Sequence, residues 1–208
     1  MRVSSVGMIR ISEKISVSIF SFAALFMFFC SQGLLYASVF LFAALLHELS
    51  HIYFLNRFGA EIKCICIFPF GVDINADTSR ISYKKELICT LAGSFSNLAF
   101  AFLSFLVLYI FPSPALLFFT LSNLFLGIMN LLPLSFFDGG KAIRLVFYDT
   151  FDIDTAFFLY RTADILSAVL FLSLCIFAVV GSHFNFSVCA VICYASVSTL
   201  ALWKKHAI

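Results

Sequence analysis

The sequence predicts an all-α polytopic membrane protein. It would have six transmembrane helices and a short membrane-associated β-hairpin between the second and the third. Three observations predict this. Of the 208 residues, 62% are apolar and only 12% are charged, and the mean hydropathy is +1.07; soluble domains carry about 25% charged residues. The apolar residues fall in runs close to the length of about 20 that a spanning helix needs. Lysine and arginine gather on alternate connections, as their bias towards the cytoplasm demands. The composition excludes a disordered chain. A net charge of +2 gives no electrostatic footprint for nucleic acid, so no such partner is expected.

Along the chain, Arg2, Arg10 and Lys14 precede the first apolar run. No small-x-small cleavage site follows at the right place, so the run reads as a retained span rather than a signal peptide. Residues 15–55 are apolar for two span lengths, with Ser31-Gln32-Gly33 as the turn between them. Residues 56–86 are the most polar part; within them 62–70 alternate as a strand does, ended by Pro69 and Gly71. The third span covers 87–110, and Phe111-Pro112-Ser113-Pro114 breaks it from the fourth at 115–132. After a second polar stretch at 133–155, the fifth span covers 156–180, Gly181-Ser182-His183 turns the chain, and the sixth covers 184–203.

With that count, Arg57, Lys63, Arg80, Lys84, Lys85, Lys141, Arg144, Lys204 and Lys205 share one side with the N-terminal basic residues, and Arg161 lies just inside a span that starts there. None falls in the opposite turns. Both termini are therefore expected in the cytoplasm. The cysteines form no regular framework and read as small buried hydrophobes. Cys64 and Cys66 point the same way from one strand, without two further soft ligands nearby for a zinc clamp.

Ionisable groups inside a bilayer are costly and by default functional. The second span contains His47-Glu48-Leu49-Ser50-His51. Residues four apart share a helix face, so His47 and His51 can offer two imidazoles to one metal ion while Glu48 handles the attacking water; this is the H-E-x-x-H arrangement of zinc hydrolases. A catalytic zinc commonly takes three protein ligands. His183, in an outer turn, and His206, in the tail, are poor third ligands. Asp138 is better, because Pro133 breaks the helix before it and Gly139-Gly140 permit the chain to turn it back into the bundle. It also lies at the cytoplasmic end of its span, as the histidines do. On the third span, Gly93 allows close helix approach and Asn97 shares its face, which suits an interhelical hydrogen bond as well as catalysis. Arg161 and Asp164 read as a local ion pair, and Asp149, Asp152 and Asp154 as a solvated loop.

Together His47-Glu48-x-x-His51, Gly93-x-x-x-Asn97 and Asn130-x-x-Pro133…Asp138-Gly139 resemble, in order and membrane setting, the site-2 protease family of intramembrane zinc metalloproteases. The similarity is greatest to the compact six-span branch typified by the sporulation-stage IV protease FB, and it covers residues 34–144. Where the family pattern has prolines after the first of these glycines and two residues before the aspartate, this chain has Ser94 and Phe136. The resemblance implies that His47, His51 and Asp138 hold Zn2+, that Glu48 is the general base, and that Asn97 and Asn130 support the substrate or the transition state. It also implies regulated proteolysis of a membrane-anchored protein in a bacterial cell membrane, with membrane regulator proteins as further partners. Phe68-Pro69-Phe70-Gly71 is similar to the family's membrane-associated hairpin. The expected organisation is a single transmembrane metalloprotease domain over 1–208, with no PDZ or CBS domain.

Hydrolysis needs the substrate helix unwound, and the strand at 62–68 is expected to receive the extended segment by β-addition. Water is expected to enter from the cytoplasmic side. Two other readings compete. A prenyl-protein protease also uses H-E-x-x-H but takes a glutamate as third ligand, and Glu13, Glu61 and Glu86 all lie outside the spans. A catalytically inactive membrane scaffold or a transporter-like bundle is the non-enzymatic alternative.

Overall fold

A computed structural model of the protein describes residues 8–68 and 71–181. The chain divides into two units, Met1–Ile128 and Met129–Ile208. In the first, β1 (Met8–Arg10) and β2 (Ile15–Ser18) lead into α1 (Ile19–Gln32) and α2 (Leu34–Phe58). A hairpin of β3 (Glu61–Phe68) and β4 (Gly71–Asp77) follows, then α3 (Tyr83–Ile110) and α4 (Pro114–Asn130), whose last two residues already belong to the second unit. That unit continues with α5 (Asp138–Thr150) and α6 (Ile153–Gly181).

Three helices, α2, α3 and the described part of α6, are long and apolar enough to cross a membrane. Phe20, Phe26, Phe102, Phe105 and Tyr109 are among many large apolar side chains left on the outside, as a lipid solvent allows. The chain is a membrane protein. The other two apolar helices are shorter, with 14 residues in α1 and 17 in α4, which rise only about 21 and 26 Å. α1 starts later than expected because residues 15–18 are spent on a strand. The sixth expected span, at 184–203, lies outside the described residues, as do Arg2, Pro69, Phe70, His183, Lys204, Lys205 and His206.

The hairpin between the second and third apolar stretches is present, but it is half of a larger sheet of order β1-β2-β3-β4. β2 pairs parallel with β3 (Ile15↔Ile65, Ser16↔Cys66, Val17↔Ile67) and antiparallel with β1. The Ile65 N–H donates to the Lys14 carbonyl at 2.7 Å. β3 is therefore a central strand with both edges taken, so it cannot receive a substrate strand. Among the described residues the outer strands are β1 and β4. An all-α description is too narrow for the same reason.

Local chemistry explains the joints. Gly59 closes α2 with φ +83°, in the left-handed region a side chain disfavours, and its N–H reaches the Leu55 and Asn56 carbonyls. Leu55, Ala60 and Cys89 form a buried cluster under Phe54, Phe58, Ile74, Ala76 and Ile81, which seats the sheet on α2 and α3. Ser21 of α1 donates to the Ile67 carbonyl at 3.2 Å. Tyr36 and Phe42 of α2 meet Phe118 and Phe119 of α4 with ring centroids 5.0 and 6.0 Å apart. The Thr120 hydroxyl donates to Ser104 at 2.8 Å, tying α4 to α3.

In the second unit, the residues read from sequence as a plain polar stretch contain α5. This helix stayed hidden because its polar residues, Lys141, Arg144 and Asp149, break the apolar pattern of a span. Arg144 lies over the rings of Tyr148 and Tyr160 at 5.8 and 6.0 Å, linking α5 to α6. Asp152 accepts the Thr155 N–H at 3.0 Å at the start of α6.

Candidate metal centre

His47 and His51 are buried on α2, 6% and 9% exposed, and Glu48 beside them is half-buried. Their Nε2 atoms face each other 3.1 Å apart. Two imidazoles bound to one tetrahedral zinc, at about 2.0–2.1 Å each, hold their nitrogens roughly 3.3 Å apart. The pair is thus spaced as ligands of one ion. On the far side of the ring, His51 Nδ1 lies 2.8 Å from the Cys89 carbonyl. A carbonyl only accepts, so Nδ1 carries the proton and Nε2 presents its lone pair. This arrangement fixes the tautomer and orientation of a metal-ligating histidine.

The backbone of α3 comes against the imidazoles at Gly93. A Cβ there would collide with His51 Nε2 and lie 2.7 Å from His47 Nε2 and Cε1. Only hydrogen fits. Further along α3, Ser94 and Asn97 have no solvent exposure. Among the described residues, neither amide atom of Asn97 nor the Ser94 hydroxyl has a hydrogen-bond partner. An unmade buried hydrogen bond costs about 1–3 kcal/mol, which favours a polar ligand or water beside these groups. Asn123 on α4 is equally buried; its Nδ2 donates to the Phe119 carbonyl at 2.9 Å while Oδ1 is unpartnered among the described residues. Sequence reading missed Asn123, although an amide amid an apolar helix is the same signal that singled out Asn97.

Asp138 and Asn130 belong to the second unit. Asp138 is the first residue of α5, 6% exposed, where the helix dipole favours its negative charge. Lys141 Nζ is 3.5 Å from its Oδ1. The turn before it is tight: Leu134 N–H donates to the Leu132 carbonyl and Phe137 N–H to the Leu134 carbonyl, each at 2.8 Å. Gly139 and Gly140 lie directly on the Leu131 and Leu134 carbonyls, where a Cβ would overlap them. The glycines serve this packing.

Asp164 makes a contact that the sequence reading did not foresee. Its carboxylate is 3% exposed and accepts the Ser135 N–H at 2.8 Å and the Ser135 hydroxyl at 3.0 Å. Arg161 lies over the Phe157 ring at 5.8 Å. Of the remaining glutamates, Glu86 accepts from Thr78 at 3.0 Å at the foot of α3, and Glu13 and Glu61 are exposed. None stands with the histidines on α2, so the prenyl-protease pattern gains no support.

No family model matches the chain. A zinc metalloprotease of Methanocaldococcus jannaschii is 30% identical over 109 residues, which make up 50% of this chain and 32% of that protein. The matching part is thus about a third of that relative's length. Among solved structures, the site-2 protease of Methanocaldococcus jannaschii aligns with a TM-score of 0.65 at 20% identity, over 93% of each chain. The chain has the fold of that site-2 protease.

Proposed function

We propose that the protein is an intramembrane zinc metalloprotease of the site-2 type that cleaves membrane-anchored substrates in or near their spanning segment. The observation that carries this is the facing pair of imidazole nitrogens on α2, 3.1 Å apart and with the tautomer of one set by the Cys89 carbonyl, beside Glu48. The shared fold and the zinc metalloprotease match support it. In this reading Asp138 completes the ligand set with His47 and His51. Its burial and its place at the start of α5 suit a ligand carboxylate.

Zinc, when bound, polarises the scissile carbonyl and makes water acidic enough to attack near neutral pH. Glu48 takes the proton of the attacking water and delivers it to the leaving amine. Asn97 supplies its amide to the oxygen that gains charge, with Asn130 assisting. The extended substrate segment pairs with β4. Its outward groups follow from the ladder: Ile65 turns its N–H to β2, so Cys66 turns towards β4 and pairs with Asp73. Val72 and Ile74 therefore present N–H and C=O groups to the open edge. The compact six-span arrangement of the sporulation-type branch, with both termini cytoplasmic, is part of the proposal.

The test is metal analysis of the purified protein with Glu48→Gln and Asp138→Asn, and cleavage of a panel of single-span substrates. Glu48→Gln is expected to keep zinc and lose turnover, and Asp138→Asn to lose both. A wild-type protein that takes up no zinc would overturn the assignment.

A further inference from the structure

A carboxylate in a spanning helix is expensive, and α6 holds Asp164 eleven residues from its start, about 16 Å along the axis. Its two oxygens accept the N–H and the hydroxyl of Ser135, three residues before Asp138. The same turn is tied to α6 once more, by a ring contact, and it is buried. Leu134 is 1% exposed, and the Phe137 ring stands edge-on to Phe171 of α6 at 6.5 Å. Because Gly139 and Gly140 rest on the Leu131 and Leu134 carbonyls, the turn and the first coil of α5 move as one body. Holding Ser135 therefore holds Asp138.

We infer that Asp164 is a positioning residue for the Asp138 carboxylate: it anchors the turn through Ser135 so that the ligand is presented in one orientation. Apolar packing alone would bury the turn, but it is non-directional and leaves rotation about the Pro133–Phe137 path open. A backbone N–H held by an anion is directional and charge-assisted. The Ser135 hydroxyl adds a second bond that fixes the carboxylate plane. The inference rests on the proposed ligand role of Asp138.

The full chain in detergent micelles tests it, with zinc affinity measured by chelator competition and the visible spectrum recorded for the Co2+-loaded protein. Outer supports of metal ligands cost about 10–100-fold in affinity when lost. Asp164→Asn is expected to weaken zinc by that factor and to shift the Co2+ bands, with helical content unchanged. Ser135→Ala, which keeps the backbone bond, is expected to shift the bands the same way with less than about tenfold loss of affinity. Asp138→Asn is the reference. If it loses metal while Asp164→Asn and Ser135→Ala keep wild-type affinity and bands, the positioning role is wrong and the ligand assignment stands. If Asp138→Asn itself changes neither, the ligand assignment fails and the anchor falls with it. Should Asp164→Asn not fold, the Ser135→Ala spectrum decides: unmoved bands overturn the inference.

Discussion

A methyl group at Gly93 would overlap His51 Nε2 and crowd His47 Nε2 at 2.7 Å. The imidazoles must then swing away, and the Cys89 carbonyl can no longer hold His51 in place. Gly93→Ala is expected to weaken zinc by at least about tenfold while the protein remains folded, which zinc stoichiometry and circular dichroism together check. Gly127→Ala is the contrast. The atoms its Cβ would meet first are the Leu98 side-chain carbons at 2.9 Å, which can rotate, with the Ser94 carbonyl at 3.1 Å, so turnover should fall only a few-fold. Asn97→Ala should keep zinc and lower kcat by about 10²-fold, the usual effect of losing a donor to a developing oxyanion; an unchanged kcat would remove Asn97 from the site. At this scale the sequence was informative wherever spacing equals geometry: His47 and His51 lie on one helix, so a separation of four residues already fixes their common face, with Glu48 next to it in the chain. The contact of Asp164 with Ser135 was not legible because the two are 29 residues apart, and no local spacing announces a contact across a turn.

The sheet shows both what patterning reveals and what it conceals. Alternation marked 62–70 as a strand, but alternation cannot tell a central strand from an edge. β1 and β2 are three and four residues long, too short for a period to show, and β2 lies within an apolar run that reads equally well as helix. A proline at Ile65 would therefore remove the donor to Lys14 and damage the sheet itself. Val72→Pro is the informative change: it deletes an outward donor on β4, where proline is tolerated, and is expected to impair cleavage while zinc stays bound. Unimpaired cleavage would rule out pairing at that edge. The hairpin also carries an ion pair, Lys63 Nζ to Asp77 Oδ2 at 2.8 Å. Hydrogen bonds from Lys63 and Ser79 hold the Asp77 carboxyl well below the usual carboxylate range, and the same pairing raises Lys63. The contribution of Asp77 is full above the ordinary carboxylate pKa and fades as pH falls through its lowered value. That of Lys63 is lost only as pH rises through a value above the ordinary lysine range. Amide exchange of β3 and β4 should accordingly show no step attributable to this pair between about pH 5 and 9.

For the molecule as a whole, composition and charge segregation were enough to place it in a membrane, because lipid reverses the usual rule for what may be left outside. Span boundaries were less legible: apolar runs show where the chain avoids water, and a strand, a short helix and a full crossing all satisfy that. The expected orientation has a direct check. With native cysteines replaced, Lys141→Cys, exposed on α5, should react with an impermeant thiol reagent added from the cytoplasmic side and stay unlabelled from the other. Labelling only from outside would invert the topology.

The pairing of β2 with β3 bears on the same question without any appeal to charge. β2 runs directly into α1, β3 follows α2 after two residues, and the two strands are bonded side by side. A chain that leaves this ladder and returns to it is expected to do so on one face of the bilayer. An even number of crossings between residues 18 and 61 is the expected outcome of any insertion that keeps the ladder, and altering basic residues on one flank is expected to tear the ladder apart rather than flip that flank alone.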